Sequence, residues 1–319
     1  MKMKIVSAGP LTTIQDKGRQ GYMRYGITTS GVMDDKAYAY GNYLVGNSET
    51  EACLEMTFKG VVMEFEGQGE IAIVGADMTP LLNGIPVSNN TKIAVKTKDI
   101  LELGFAKTGL RGYLFCKGGI EVPLVYGSRS TNLKCGFGGF HGRKLQNGDI
   151  LESGKFPMDT GLSKTEPIQL EGSIISENRS FSYRIPEEND LVIRVILGPQ
   201  EDYFTEQGVR TFLSSEYKIT PESDRMGIRL SGNVLEAVKG MDIISDAIPL
   251  GSIQVSADGQ PIILLADRQT TGGYAKIATV ISDDIWKLAQ SRPGMSLHFK
   301  MVTLRQAQKI MKKQLRFAG

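Results

Sequence analysis

Cysteine, histidine and tryptophan are scarce in this 319-residue chain, at three, two and one. Cys53, Cys116 and Cys135 are far apart, odd in number and without a C-x-x-C pair. That pattern argues against a disulfide framework and for reduced thiols in a cytoplasmic protein. His141 and His298 alone cannot furnish a His/Cys zinc site, so no metal centre is expected, and a histidine-based hydrolase triad has little to draw on. Neither sign of charge is in excess: 37 Lys and Arg against 35 Asp and Glu leave a formal net charge of +2. Such a balance gives no strong pull toward nucleic acid or an anionic membrane. No apolar run approaches the ~20 residues of a membrane span. The first apolar stretch stops at Gly9-Pro10, too early for a secretory signal. A phosphate loop of the form G-x-x-x-x-G-K-S/T and a G-x-S-x-G nucleophile elbow are both missing.

What is present is material for packed cores, 41% hydrophobic residues, cut into short runs by 37 glycines. β-branched and aromatic segments bounded by Gly, Asn, Asp and Pro read as many short strands. They fall at 60–65, 71–74, 92–95, 100–103, 112–116, 191–197, 261–266, 277–281 and 297–302. Asn83-Gly84 and Asp258-Gly259 sit between apolar runs, where tolerance of positive φ permits tight hairpins. Three helices are expected. One follows Ser30 with Met33, Ala37, Tyr40 and Leu44 on one face and stops at Gly46; one begins near Asp283-Asp284; the last starts at Thr303, with Gln306 completing a capping box. The fold class is thus mainly β with a few helices.

The stretch from Gly154 to Asn189 is rich in Ser, Glu and Pro and reads as a connection, with a short strand near Ile168–Leu170. The expected division is a β domain over 1–160, a connection over 161–189, and a β domain over 190–319 that ends in a helix. Val6 to Pro10 and Val195 to Pro199 each read as an apolar strand ending in Gly-Pro. Ser30 to Asp34 and Ser223 to Gly227 follow at similar spacing, which suits an internal duplication.

Polar residues gather in three places. Asp267-Arg268-Gln269-Thr270-Thr271-Gly272-Gly273-Tyr274 follows an unbroken apolar strand, so its side chains need mutual hydrogen bonds or a ligand. Ser128-Arg129-Ser130-Thr131 offers one guanidinium among hydroxyls, which suits a carboxylate or phosphate and equally an arginine bridging two loops. Ser223 to Arg229 contains Asp224 beside Arg225, and His141 lies in a Gly-rich loop where a solvated imidazole is the ordinary state. From the residues alone, the reading stops at a small-anion site on a β-rich scaffold.

In order along the chain, Gly9–Asp16, Gly18-Arg19-x-Gly21-Tyr22, Ser30–Asp34, Leu44–Asn47, Gly118–Pro123, Gly127–Thr131, Gly198-Pro199-Gln200, Ser223–Gly227, Gly251–Gln254, Asp258–Pro261 and Asp267–Tyr274 form a longer pattern. It resembles the biotin-dependent carboxyltransferase-related family, also called the allophanate hydrolase subunit 2 family, from about residue 4 to 302. The resemblance implies two cyclophilin-like β-barrel domains facing a shared cleft. It also implies a C-type subunit of an ATP-dependent 5-oxoprolinase, acting with a B-type (KipI-like) subunit and an A-type subunit to open 5-oxoproline to glutamate. ATP is then used by the assembly, at a site the sequence does not locate. Two other roles known in such a family are a carboxyltransferase working with biotin and a KipA-like regulator that captures a KipI-like kinase inhibitor. Carried residue by residue, the pattern puts catalytic roles on Asp267, Arg268, Thr270 and Thr271. It puts substrate binding on Ser128, Arg129, Ser130, Thr131, Arg225, Gln254, Gln269 and Tyr274. Arg129 or Arg268 is expected to hold a substrate carboxylate, with Asp267 fixing its neighbour's geometry.

Overall fold

A computed structural model describes residues 1–154, 183–185, 190–238 and 240–318. The connection expected over 161–189, apart from 183–185, and its strand near Ile168–Leu170 lie outside the described residues. All nine strand segments expected from the sequence are strands, with ends shifted by a few residues. Asn83-Gly84, with φ of 54° and 76°, closes a two-residue hairpin between Leu81–Leu82 and Ile85–Pro86.

The N-terminal half is two antiparallel sheets. The first runs in the order Ile150–Glu152, Lys2–Ser7, Val62–Glu66, Ile100–Glu102, Leu81–Leu82, Ile85–Pro86. The second runs Leu11–Gln15, Cys53–Thr57, Thr108–Cys116, Gly69–Asp77, Lys92–Val95. Alternation along Lys2–Ser7 turns Met3 and Ile5 inward while Lys2 and Lys4 stay in solvent. Met3, Ile5, Met63 and Phe65 meet Leu54, Met56, Ile71 and Leu114 in one core between the sheets. The second sheet is apolar on its other face too, because helix α1 (Asp35–Val45) covers it. Ala37, Tyr38 and Val45 pack there on Val74, Tyr113 and Phe115, and Gly41 has no Cβ because the Phe115 ring occupies that space.

The C-terminal half is a closed barrel in the order Asp190–Leu197, Lys276–Val280, Ser252–Val255, Pro261–Leu264, Gly227–Ser231, Glu216–Ile219, Ser296–Met301. A parallel pairing, Asp190–Leu197 with Ser296–Met301, closes it. Helix α2 (Glu206–Ser214) plugs one side with Phe212, stacked on Phe299 at 4.3 Å. Val209, Phe212 and Leu213 form a short apolar stripe that packs on the barrel core, and the helix start is set by Thr205, whose hydroxyl accepts from Gly208 N. A two-stranded ribbon, Asp242–Ala247 with Thr271–Tyr274, stands outside the barrel.

One helix expectation needs refinement. The first helix begins only after Asp34, its N-cap, because Ser30 sits at φ 51° and Gly31 at φ 91°, outside any right-handed helix. Helix α3 (Ile285–Gln290) begins at Asp283-Asp284 as expected, with Asp284 at its N-cap position; the Asp284 carboxylate makes no capping hydrogen bond and accepts three from Arg194, from backbone N, Nε and Nη2. Helix α4 (Leu304–Ala318) starts as read, with Thr303 and Gln306 exchanging hydrogen bonds.

The region around α3 ties the halves together. Gln290 Oε1 accepts from Leu110 N and Arg111 N, Arg111 Nη1 donates to Ala289 O at 2.6 Å, and Lys36 pairs with Asp283 at 2.9 Å. Among the described residues no helix is long and apolar enough to cross a membrane.

Candidate functional site

Two loops of the N-terminal half, one after Leu11–Gln15 and one before α1, meet back to back. Arg19 N donates to Thr29 O and Val32 N to Asp16 O, bringing Gly18 and Gly31 together. A Cβ on Gly18 would stand 2.7 Å from Thr29 O, and one on Gly31 would stand 3.1 Å from Gly18 Cα, so both positions need glycine. Asp16 then organises the Ser128–Thr131 loop. Its carboxylate accepts from Gly18 N at 2.8 Å, Ser128 Oγ at 2.6 Å, Arg129 N at 2.6 Å and Ser130 Oγ at 2.5 Å. Thr131 Oγ1 donates to Ile14 O. The hydroxyls of Ser128, Ser130 and Thr131 are buried and committed to these bonds. Arg129 alone reaches outward from that cluster, with Nη1 4.0 Å from Glu51.

Beneath the loop before α1 lies an ionic network that crosses the seam. Arg225, 5% exposed in its side chain, pairs through Nη1 with Glu55, 1% exposed, and through Nε with Asp267 at 2.8 Å. Its Nη2 donates to Gly31 O, while Glu55 also accepts from Met33 N at 2.8 Å and Tyr113 Oη at 2.9 Å. Burial lowers the pKa of this guanidinium, but the charges of Asp267 and Glu55 more than reverse that and leave it raised. Asp267 thus fixes Arg225, not its chain neighbour as expected. Its own N–H bonds Arg225 O, which turns its carboxylate to that strand end and sends the Arg268 side chain elsewhere.

Arg268 turns into a cavity of about 680 Å³ between the halves. The cavity is walled by Val32, Met33 and Tyr38 from one side and Leu250, Leu265 and Ile285 from the other, with Lys17 and Glu49 at 2.5 Å as a half-exposed ion pair. Arg268 Nε donates to Ile248 O at 2.9 Å, and Nη1 to Thr29 Oγ1 and Leu265 O. Nη2 has only the Met23 thioether at 3.6 Å. Burial alone lowers its pKa, with no carboxylate raising it. A buried guanidinium still carries its charge, so this one lacks a counter-anion among the described residues. Ser30, at the same cavity, has an unfavourable φ of 51° and a buried Oγ with no hydrogen-bond partner among the described residues. An orphan hydroxyl on a strained residue is the kind of cost that a ligand offsets. Ser30 was legible only as part of a motif; nothing in the sequence foretold its unused oxygen.

The remaining expected residues lie apart. Gln254 Nε2 donates to Tyr274 O, and Gln254 and Gln269 both crowd Gly272. Thr270 contributes its carbonyl to Ile248 N, and Thr271 and Tyr274 lie exposed on the outer ribbon. His141 is exposed with its ring 4.4 Å from that of Phe140. Near Gln254 the sequence reading missed Lys276, whose buried ammonium pairs with Asp246 at 2.8 Å while its N–H bonds Gln200 Oε1. A single lysine opening a strand carries no sequence signal; only closure of the barrel buries it.

Asp34 is a buried acid at the seam, accepting from Ala37 N, Gln290 Nε2 and Tyr183 Oη. Burial outweighs those bonds and raises its pKa from 3.8 to about 6. A raised acid favours the folded state while protonated, so its contribution is complete below pH 3.8 and is lost as pH rises through 6. The rise corresponds to about 3 kcal/mol. Urea unfolding of Asp34→Asn between pH 4 and 7 should lack that descent; parallel profiles for the two proteins would show that Asp34 does not titrate this way.

Two packed sheets joined across a seam to a closed barrel match a recognised class. The family description "Carboxyltransferase domain, subdomain A and B" matches residues 25–301, and the chain belongs to this family. It is 36% identical to the 5-oxoprolinase C subunit of Escherichia coli K12, over 99% of this chain and 96% of that protein. The Haemophilus influenzae protein of the same name is also 36% identical, over 94% of this chain and 91% of the relative. The crystal structure of Kluyveromyces lactis urea carboxylase superposes with a TM-score of 0.88 at 30% identity, covering 99% of this chain but 28% of that one.

Proposed function

We propose that the chain is the C-type component of an ATP-dependent 5-oxoprolinase, and that the inter-half cavity receives the 5-oxoproline ring. The observation that carries this is the Arg268 guanidinium, buried in the cavity without a carboxylate partner among the described residues. A substrate carboxylate supplies the missing anion through a charge-assisted hydrogen bond to Nη2. The Ser30 hydroxyl, unpartnered among the described residues at the same cavity, is available as a donor to the lactam oxygen. A five-membered lactam is a stable amide. Phosphorylation of its oxygen by ATP makes the carbon attackable by water; the C–N bond then breaks to give a glutamyl phosphate, and a second water releases the phosphate to leave glutamate. This chain's part is to hold and orient the ring; A- and B-type partners complete the assembly, which consumes the ATP. Support comes from the two relatives named as 5-oxoprolinase components of the C type, which match along nearly their whole lengths.

The test is 5-oxoproline-dependent ATP hydrolysis by co-purified A- and B-type subunits with and without this chain. Turnover that requires the chain is the expected result; equal turnover without it overturns the reading. The likeness to urea carboxylase favours one other reading, a carboxyltransferase working with biotin. There the Arg268 and Ser30 donors would hold the ureido oxygen of biotin, and saturable binding of free biotin without any response to 5-oxoproline would select it.

A further inference from the structure

A second cavity, of about 430 Å³, opens on the seam where α3 ends. Its walls are apolar: Leu11, Phe58 and Leu110 from the sheets, Ile219, Ile228 and Pro293 from the barrel side. Phe58 is held at φ 70°, a conformation a bulky residue rarely adopts, and its ring stands half-exposed at the rim, edge-on to Phe105. Backbone strain that presents an aromatic ring to a cavity mouth needs a reason, and a ligand is one.

The arginines facing this apolar basin are unequally partnered. Arg225 is neutralised by Glu55 and Asp267. Arg111 and Arg292 form no direct ion pair among the described residues, though the charges of Glu55 and Asp224 act on Arg111 at longer range: their hydrogen bonds go only to backbone carbonyls, Arg111 to Ala289, and Arg292 to Gly109 at 2.5 Å and Ala106 at 2.7 Å. Arg111 is 4% exposed, and its Nε is buried without a partner among the described residues. Arg292 Nη1 likewise makes no hydrogen bond to the described residues. Asp224 also lines the cavity, but it is exposed and its Oδ1 accepts from Met226 N and Gly227 N. The three arginines and three carboxylates around the pocket balance in charge, so what Arg111 and Arg292 offer at the wall of the apolar pocket is N–H donors without acceptors among the described residues.

We infer that this seam pocket binds a small amphipathic carboxylate, its carboxylate on Arg111 and Arg292 and its hydrocarbon or aromatic body between Phe58, Leu110 and Ile228. An apolar pocket with a few convergent polar groups is the usual form of a small-molecule site, and a buried arginine nitrogen without an acceptor is what a carboxylate satisfies. The occupant is distinct from the ring in the cleft, which has its own arginine. The two cavities are nonetheless neighbours. Arg225 lines this one, and its Nη2 holds Gly31 O, next to Ser30 of the other.

Titration calorimetry of the full chain with 4-phenylbutyrate tests the proposal, with 4-phenylbutanol as the uncharged control. One saturable site is expected for the acid, with binding at least tenfold weaker for the alcohol. Arg292→Met should weaken the acid at least tenfold and leave the alcohol unchanged. Leu11→Trp, which fills the basin from a partly exposed wall, should abolish both while circular dichroism remains that of the parent. Acid and alcohol of equal affinity, no saturable binding of the acid, or binding that survives Leu11→Trp would each overturn it. The readout involves no turnover, so it stands or falls separately from the 5-oxoprolinase reading.

Discussion

Arg225→Met is expected to destabilise the protein by about 3–5 kcal/mol, the cost of removing one partner from a buried ion pair. The change strands Glu55, which is 1% exposed, and leaves Asp267 without its partner. It also frees Gly31 O, so the loop bearing Ser30 loses one of its tethers to the barrel. Desolvation makes the whole network costly to assemble, yet far costlier to break in part. For that reason Arg225→Met combined with Glu55→Gln should recover a large share of the loss, because the stranded charge is removed with its partner. Chemical denaturation of the parent, the single and the double variant checks this. A single variant within about 1 kcal/mol of the parent would show that the network contributes little to holding the halves.

Arg268→Met should leave that stability largely in place and instead raise the KM for 5-oxoproline in the reconstituted assembly by about 10–150-fold, the loss of one hydrogen bond to a charged group. The stem of methionine fills much of the arginine's volume, while the guanidinium and its donors to Ile248 O and Leu265 O are gone. Arg268→Lys keeps a charge but not the planar fork, and falls between the two. The KM for ATP should not move, which separates ring binding from a general loss of assembly. An unchanged KM for 5-oxoproline in both variants would remove Arg268 from the site.

The β character of the chain, the hairpin at Asn83-Gly84 and the capping box at Thr303 are local matters. Each is decided by a few adjacent residues whose φ preference or hydrogen-bond capacity is intrinsic. The polar clusters were equally plain in sequence as clusters. What each side chain does in them was not. Asp16 takes up the hydroxyls of Ser128 and Ser130 from more than 110 positions away, and Glu55 takes Arg225 from 170. Two neighbours, Asp267 and Arg268, part company because one faces a paired arginine and the other a cavity. The sequence by itself determined which elements form and which residues are polar enough to matter. Only the tertiary structure decided which of those groups satisfy one another and which, like Arg268 Nη2 and Ser30 Oγ, have at most a weak partner among the described residues. Burial and pairing depend on which distant loops meet, and no local pattern encodes that meeting.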